Sequence, residues 1–412
     1  MALRRSLHGL DWLNFFVANV QTGFGPFIAV YLAEHRWTEA EIGVALSIGT
    51  IVSLLTQVPA GAVVDSIKDK RKAVRFGVLA VSATALLYAL SARWIVVYTA
   101  ELFHGLASSI LTPAIAAVTL RLVGRSAFGE RVGHNARFAS VGSGVAAGLM
   151  GIVGSYVSAN SVFWLTALLG LPALLALRAI GPEQAPNEPG APDPGVTGQP
   201  SWAGLKALFL DRRLLVFAGC VVLFFVSNAA MVPIEASAIT RRHPELADAL
   251  IAITVVLPQG VVALLSPWTG HAAERWGRRP VMVLGWAMLP MQGVLYAAVG
   301  SPFVVLPCQL LSGISAAVFG VLMTLVAADL TRQSGRFNLT MGALGIAVYV
   351  GATISTSLAG WTAERFGDSA AFLLLAGAGL AGTLLLWLAM PETRERPATP
   401  PSPTPSLATS LA

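Results

Sequence analysis

Charge is scarce in this chain. Asp, Glu, Lys and Arg make up 12% of its 412 residues, about half the share of a soluble domain. That excludes an ordinary water-soluble enzyme. It also argues against nucleic-acid binding, because the net charge of +6 comes from Lys and Arg spread over short segments between apolar runs. Basic residues dispersed in this way set the orientation of membrane proteins. Cysteine is nearly missing: Cys220 and Cys308 stand in separate apolar runs, which rules out a disulfide framework and any zinc-type spacing. There is no phosphate-binding glycine loop, no dinucleotide fingerprint after a strand and no nucleophilic Ser or Cys motif. Neither an enzyme, a cofactor, a bound metal nor an ATP-driven pump is expected. Arg4 and Arg5 open the chain as a signal peptide would, but Asp11, Asn14 and Asn19 interrupt the apolar run behind them, so a cleaved leader is not expected.

What the chain has in abundance is apolar length. It is 55% hydrophobic, with a mean hydropathy of +0.70. A helix that crosses a bilayer needs roughly 20 apolar residues. Twelve such runs are read at 10–33, 40–64, 74–92, 95–120, 135–157, 161–180, 214–239, 247–272, 280–299, 302–328, 338–361 and 369–390. They group into a first six-helix bundle at 1–180 and a second at 214–390, joined by a cytoplasmic linker at 181–213. The linker is rich in Pro, Gly and acids, with a short surface helix at Trp202–Phe209; a Pro-, Ser- and Thr-rich tail at 391–412 is expected to be disordered. With both termini in the cytoplasm, every Lys and Arg except Arg36, Arg93, Arg241, Arg242 and Arg365 falls on the inner side, as the positive-inside rule demands. The expected fold is an all-α membrane protein of twelve transmembrane helices in two pseudo-symmetric bundles. Its expected setting is a plasma membrane of the bacterial inner-membrane kind, where it works as a monomer with the lipid bilayer as a partner.

One loop pattern occurs twice. Between spans 8 and 9 the chain reads Gly270-His271-Ala272-Ala273-Glu274-Arg275-Trp276-Gly277-Arg278-Arg279: a small residue, a carboxylate one turn later, then a Gly-Arg-Arg turn. Between spans 2 and 3 stands a degraded copy, Gly61-Ala62-Val63-Val64-Asp65-Ser66-Ile67-Lys68-Asp69-Lys70-Arg71. Spans 5 and 11 are both glycine-rich, with Gly142, Gly144, Gly148, Gly151 and Gly154 in one and Gly342, Gly345, Gly351 and Gly360 in the other. Small residues let membrane helices approach closely, and their repetition half a chain apart points to two related halves.

On these residues the chain resembles the major facilitator superfamily of secondary transporters. The resemblance implies that Asp65 and Glu274 are gate carboxylates, each near the end of a helix from the other half, that help lock the cytoplasmic side shut. It makes Lys70, Arg71, Arg278 and Arg279 their basic partners, with Gly61, Gly270 and Gly277 completing the motif. The first copy carries Ser66 and Lys68 where the family has Arg and Gly, so the second is the more intact. Span 4 has Glu101 where many members have Arg, and span 5 lacks the Gly-Pro pair of drug/proton antiporters.

An ionisable residue inside a span is costly and therefore a functional candidate. Glu101 and His104 lie three apart in span 4, on one helix face. Histidine changes charge near neutrality, so such a pair can take up and release a proton. Glu235, just past Pro233 in span 7, is a further candidate. The alternatives are a fixed pair that only holds helices together and, for Glu235, a water-exposed rim residue. Asp11 reads as a first-turn acid of span 1. Family members line their cavity with helices 1, 4, 7 and 10, which makes Asn19, Gln21, Asn228 and Gln309 substrate-cavity candidates; each alone serves equally as interhelical glue. The resulting reading is proton-coupled efflux of an amphipathic small molecule by alternating access, with substrate and protons as partners. Proton-coupled uptake of a small neutral metabolite and a non-transporting membrane sensor on a transporter scaffold stand as alternatives.

Overall fold

A computed structural model describes residues 2–22, 28, 31–32, 34–181, 211–242, 247–299, 301–332 and 334–394. The surface helix expected at Trp202–Phe209, most of the linker and the tail beyond Arg394 lie outside these residues. The described chain is helical throughout. The first half holds α1 (Ala2–Thr22), α2 (Glu39–Ser66), α3 (Lys70–Leu90), α4 (Trp94–Val123), α5 (Phe128–Tyr156) and α6 (Ala159–Ala179). The second holds α7 (Arg212–Asn228), α8 (Met231–Arg242), α9 (Ala247–Trp276), α10 (Arg278–Ala298), α11 (Val305–Leu330), α12 (Phe337–Phe366) and α13 (Asp368–Ala389). Among the described residues, ten spans are long and apolar enough to cross a membrane by length and composition. The other two belong to α1 and α9, which adjoin residues outside those described. Leucines such as Leu55, Leu264 and Leu388 are about 70% exposed or more. So much outward apolar surface fits lipid as the surrounding solvent.

Helix ends follow from local chemistry. Thr38 and Glu41 form a reciprocal capping box at the start of α2. Asp69 accepts from Arg71 N at the start of α3, and the Arg71 guanidinium holds the Asp69 carboxyl below its ordinary range. Asp211 caps α7. Three boundaries differ from the sequence reading. α1 begins at Ala2 and α5 at Phe128, because both helices continue past the apolar run into polar sequence. Span 7, read as continuous over 214–239, is two helices broken at Ala229–Ala230. Pro233 has no N–H to close the turn there, and the Ala230 N–H is taken by Ser355 Oγ of α12 at 3.0 Å.

The halves repeat in their packing as well as their order. Gly77 packs against Leu111 as Gly285 does against Val318, and Gly170 packs against Ser82 as Gly379 does against Pro290. Gly142 abuts the Phe15 carbonyl, and Gly351 the Val222 carbonyl. The first half has its own core around Leu10, Tyr88, Leu111 and Phe163. The second core, around Phe217, Phe224 and Trp286, also takes in Ala116, Ala117, Phe128 and Val132 from the first half. The two bundles therefore share one packed region. It lies where α2 meets α12 and α5 meets α9.

Candidate functional site

That shared region is built by the repeated motif. Gly61 of α2 lies directly against the Asn338 carbonyl in the first turn of α12, and any Cβ there would overlap it. One turn on, Asp65 faces the N-terminus of α12. Its carboxylate accepts from Asn338 N at 3.1 Å, Leu339 N at 2.9 Å and the Asn338 side-chain amide. The first turn of a helix has N–H groups without intrahelical partners and a partial positive charge. Asp65 supplies an anion from the opposite half to both.

The second copy is arranged alike. Gly270 of α9 lies against the Gly129 carbonyl in the first turn of α5, and Glu274 contacts Gly129 itself. Its carboxylate lies 3.1 Å from the Arg278 guanidinium, and Oε1 has no well-aligned hydrogen-bond partner among the described residues. The more degraded copy therefore makes the fuller set of bonds to the other half. Asp65 takes two backbone N–H groups of the first turn of α12, and the Asn338 amide adds a donor that Gly129, without a side chain, does not have. A ring contact between Phe128 and Phe337 and a bond from Arg125 Nη1 to Ala328 O at 2.7 Å close the same end.

The basic residues hold the loops rather than the gate carboxylates alone. Lys70 Nζ donates to Val64 O at 2.6 Å and Asp65 O at 2.9 Å, and Arg278 Nη1 likewise to Ala273 O at 2.8 Å. Arg71 bonds Asp69 and Ile180 O. Arg278 also pairs with Asp329 of α11 at 3.0 Å. The Arg279 guanidinium donates not to Glu274 but to Trp387 O. Gly277, at φ +106°, makes the turn that only glycine adopts readily. Glu392 sits over it and accepts from Arg278 N at 2.8 Å and Arg279 N at 3.1 Å. The start of the tail, expected to be disordered from 391, is thus a cap on α10.

The buried carboxylates lie elsewhere. Glu101 is 2% exposed. It accepts from the Tyr88 hydroxyl of α3 at 2.6 Å, stands 3.9 Å from His104 Nδ1 and presses its other oxygen onto Gly49 of α2. It thus lies inside the first bundle, among α2, α3 and α4. Gln309 is its counterpart, donating to the Tyr296 hydroxyl at 3.0 Å inside the second bundle. Glu235, 6% exposed, borders a narrow cleft of about 40 Å³ with Tyr296, Ser301 and Asp368, enough for a water or so. Asp11 is no first-turn acid: it lies midway along α1 and pairs with Arg131 of α5.

Of the cavity candidates, Gln21 and Asn228 are half-buried. Asn19 and Gln309 are fully packed, Asn19 bonding Phe15 O of its own helix at 2.8 Å. Away from the latches the packing loosens. Gly144, Gly148 and Gly151 of α5 and Gly260 of α9 have open space where a side chain would stand. At these positions, unlike at Gly129 and Gly270, a side chain would meet no described neighbour.

Comparison with known proteins bears on this arrangement directly. The chain matches the profile of the Major Facilitator Superfamily over residues 10–240 and again over 233–411, once for each half. An MFS-type transporter of Mycobacterium tuberculosis, named as uncharacterised and present in two strains, is 35% identical over 398 residues, 94% of each chain. Among solved structures, the human organic anion transporter MFSD10 superposes with a TM-score of 0.74 at 18% identity, covering 93% of this chain and 99% of that one. The Escherichia coli fucose:proton symporter does so with 0.74 at 14% identity, covering 94% and 99%. At such identities these structures speak for the fold alone. Two six-helix halves, a latch repeated between them and a relative aligned along nearly its whole length make the chain a member of the Major Facilitator Superfamily of membrane transporters.

Proposed function

We propose that this transporter is a proton-coupled exporter of an amphipathic compound, set in a plasma membrane with the latch end facing the cytoplasm. The observation that carries the reading is the seat of Glu101. A carboxylate 2% exposed within a membrane bundle is costly to keep charged. Its two oxygens touch two other helices, α3 through Tyr88 and α2 through Gly49. Protonation changes what Glu101 offers both, since a neutral carboxyl can itself donate. α2 runs from Gly49 to Asp65, about 24 Å of helix at 1.5 Å per residue, and so links the proton site to the first latch. In this reading protonation at Glu101, with His104 beside it, biases α2 against α4 and thereby the hold of Asp65 on α12. Glu235 and its cleft give the second half a further carboxylate near water. The half-buried amides Gln21 and Asn228 and the sparse charge toward the bundle centre suit a cargo with few charges.

The same amides favour a second reading, uptake of a small neutral metabolite. One experiment separates the two. An efflux-deficient host expressing the parent or Glu101→Gln is grown across a panel of toxic amphipaths and metabolite analogues. Protection by the parent that the variant loses at equal expression is the expected result. Sensitisation by the parent means uptake, and protection that survives the substitution removes Glu101 from the coupling.

A further inference from the structure

A second site stands on the surface where α1 leans on α6. Gly9 has no side chain to hold the helices apart, and a Cβ there would lie 2.9 Å from Ala176 O and 3.1 Å from Ala179 Cβ. The helices therefore cross closely, and the small residues on both leave an open apolar groove of about 420 Å³ over the crossing, within the range of ligand pockets. One end of the groove is cationic. Arg4 and Arg5 are exposed at its mouth, with His8 beside them, 66% exposed and 3.8 Å from the Asp11 carboxylate. That carboxylate is itself engaged by Arg131. At the other end lies Trp12, 51% exposed and edge-on to Phe15.

The order of these groups matches the order of groups in a membrane. From Arg4 to Trp12 the helix rises about 12 Å at 1.5 Å per residue. The polar layer on each side of a bilayer is about 5–8 Å thick, so a groove of that length passes through it into hydrocarbon. Trp is favoured at the boundary between the two. A ligand that fits carries negative charge at one end and a chain of methylenes at the other. We propose that this groove holds an anionic phospholipid, its phosphate at Arg4 and Arg5 and its upper acyl chain along Gly9 and Ala179 toward Trp12.

The test is native mass spectrometry of the full-length protein released from detergent, with phosphatidylglycerol or phosphatidylcholine of identical chains added. The variants are Arg4→Gln/Arg5→Gln, which removes charge at exposed positions, and Ala179→Phe, which fills the groove and leaves the charge. A control pair, Arg212→Gln/Arg213→Gln, removes two exposed cations at the start of α7. Each basic group near an anionic lipid is worth about fivefold in affinity. The parent is expected to retain phosphatidylglycerol over phosphatidylcholine, and the Arg4/Arg5 variant to lose about 25-fold of that preference. Ala179→Phe should release both lipids, and the control pair should match the parent. Equal retention of the two lipids by the parent, or equal losses from the Arg4/Arg5 and Arg212/Arg213 variants, overturns the proposal. So does undiminished lipid retention by Ala179→Phe.

Discussion

Asp65→Asn is the most direct test of the latch. The substitution keeps size and one acceptor oxygen but removes the charge and sets an amide against the N–H groups of α12. The parent carboxylate accepts three hydrogen bonds from Asn338 and Leu339. Hydrogen bonds to a charged group contribute about 1.5–3 kcal/mol each, net of the bonds to water they replace. An anion at a helix N-terminus adds about 0.3–1 kcal/mol, up to about 2 when partly buried. With its oxygen at the Oδ1 position the amide keeps the two bonds from Asn338 in weaker, neutral form, but it loses the charge and the bond from Leu339 N, against which its NH2 now stands. The net loss is about 3 kcal/mol, roughly 150-fold in the ratio of closed to open. A parent about 99% closed at this end then becomes a nearly even mixture. Spin labels on Ser66 and Ser334, both exposed, report the opening as a second, longer distance in double electron–electron resonance. Cys220 and Cys308 are buried and leave the labelling to the introduced pair. A variant that folds, transports and gives the parental distance distribution refutes the assignment of Asp65 as a latch.

Arg278→Met leaves Glu274 and Asp329 without the cation they share. Loss of one partner from a largely buried ion pair costs about 3–5 kcal/mol. Thermal unfolding of the purified protein should fall accordingly, and an unchanged midpoint would show that the pair contributes nothing. Gly61→Val and Gly144→Val form a contrast on two glycines of the same kind. The first drives a side chain into the Asn338 carbonyl, whereas the second enters open space. The first should abolish the short Ser66–Ser334 distance and the second retain it, and equal effects would contradict the packing described.

The sequence carried the number of spans, the two halves and both motif copies, because apolar runs and turn residues are local signals. Which groups the motifs meet was not legible. Asn338 and Gly129 become receptors only when helices distant in sequence are set side by side, and nothing at those positions advertises it. The facing of Glu101 and Gln309 was hidden for another reason. α4 and α11 are apolar around their whole circumference, so no polar stripe tells which way a residue points. Both therefore read equally well as cavity residues and as packed ones. Proline was a poor guide to the break in span 7. Pro59, Pro113, Pro172, Pro258 and Pro290 all sit inside continuous helices. At Pro233 the missing N–H coincides with a hydroxyl of a neighbouring helix that draws the Ala230 N–H out of the helical ladder. Glu392 was missed because a Pro-Glu-Thr stretch opening a Pro- and Ser-rich tail has the composition of disorder, whereas its position places it on a helix end.

The break in span 7 divides one membrane crossing into two independently mounted pieces. α7 is rooted in the large core of the second half through Phe217, Cys220 and Phe224. α8 begins in a separate cluster with Met231, Ile234, Tyr296 and Phe372. The two are joined by two residues and steadied by one hydroxyl of α12. An unbroken helix of this length acts as a stiff rod and carries any tilt from one membrane face to the other. A jointed one does not. In the proposed transport cycle, the Glu235 end of this span would tilt with its own cluster while the core-bound end stays seated, and admission or release at that face would not require Asp65 and Glu274 to let go first.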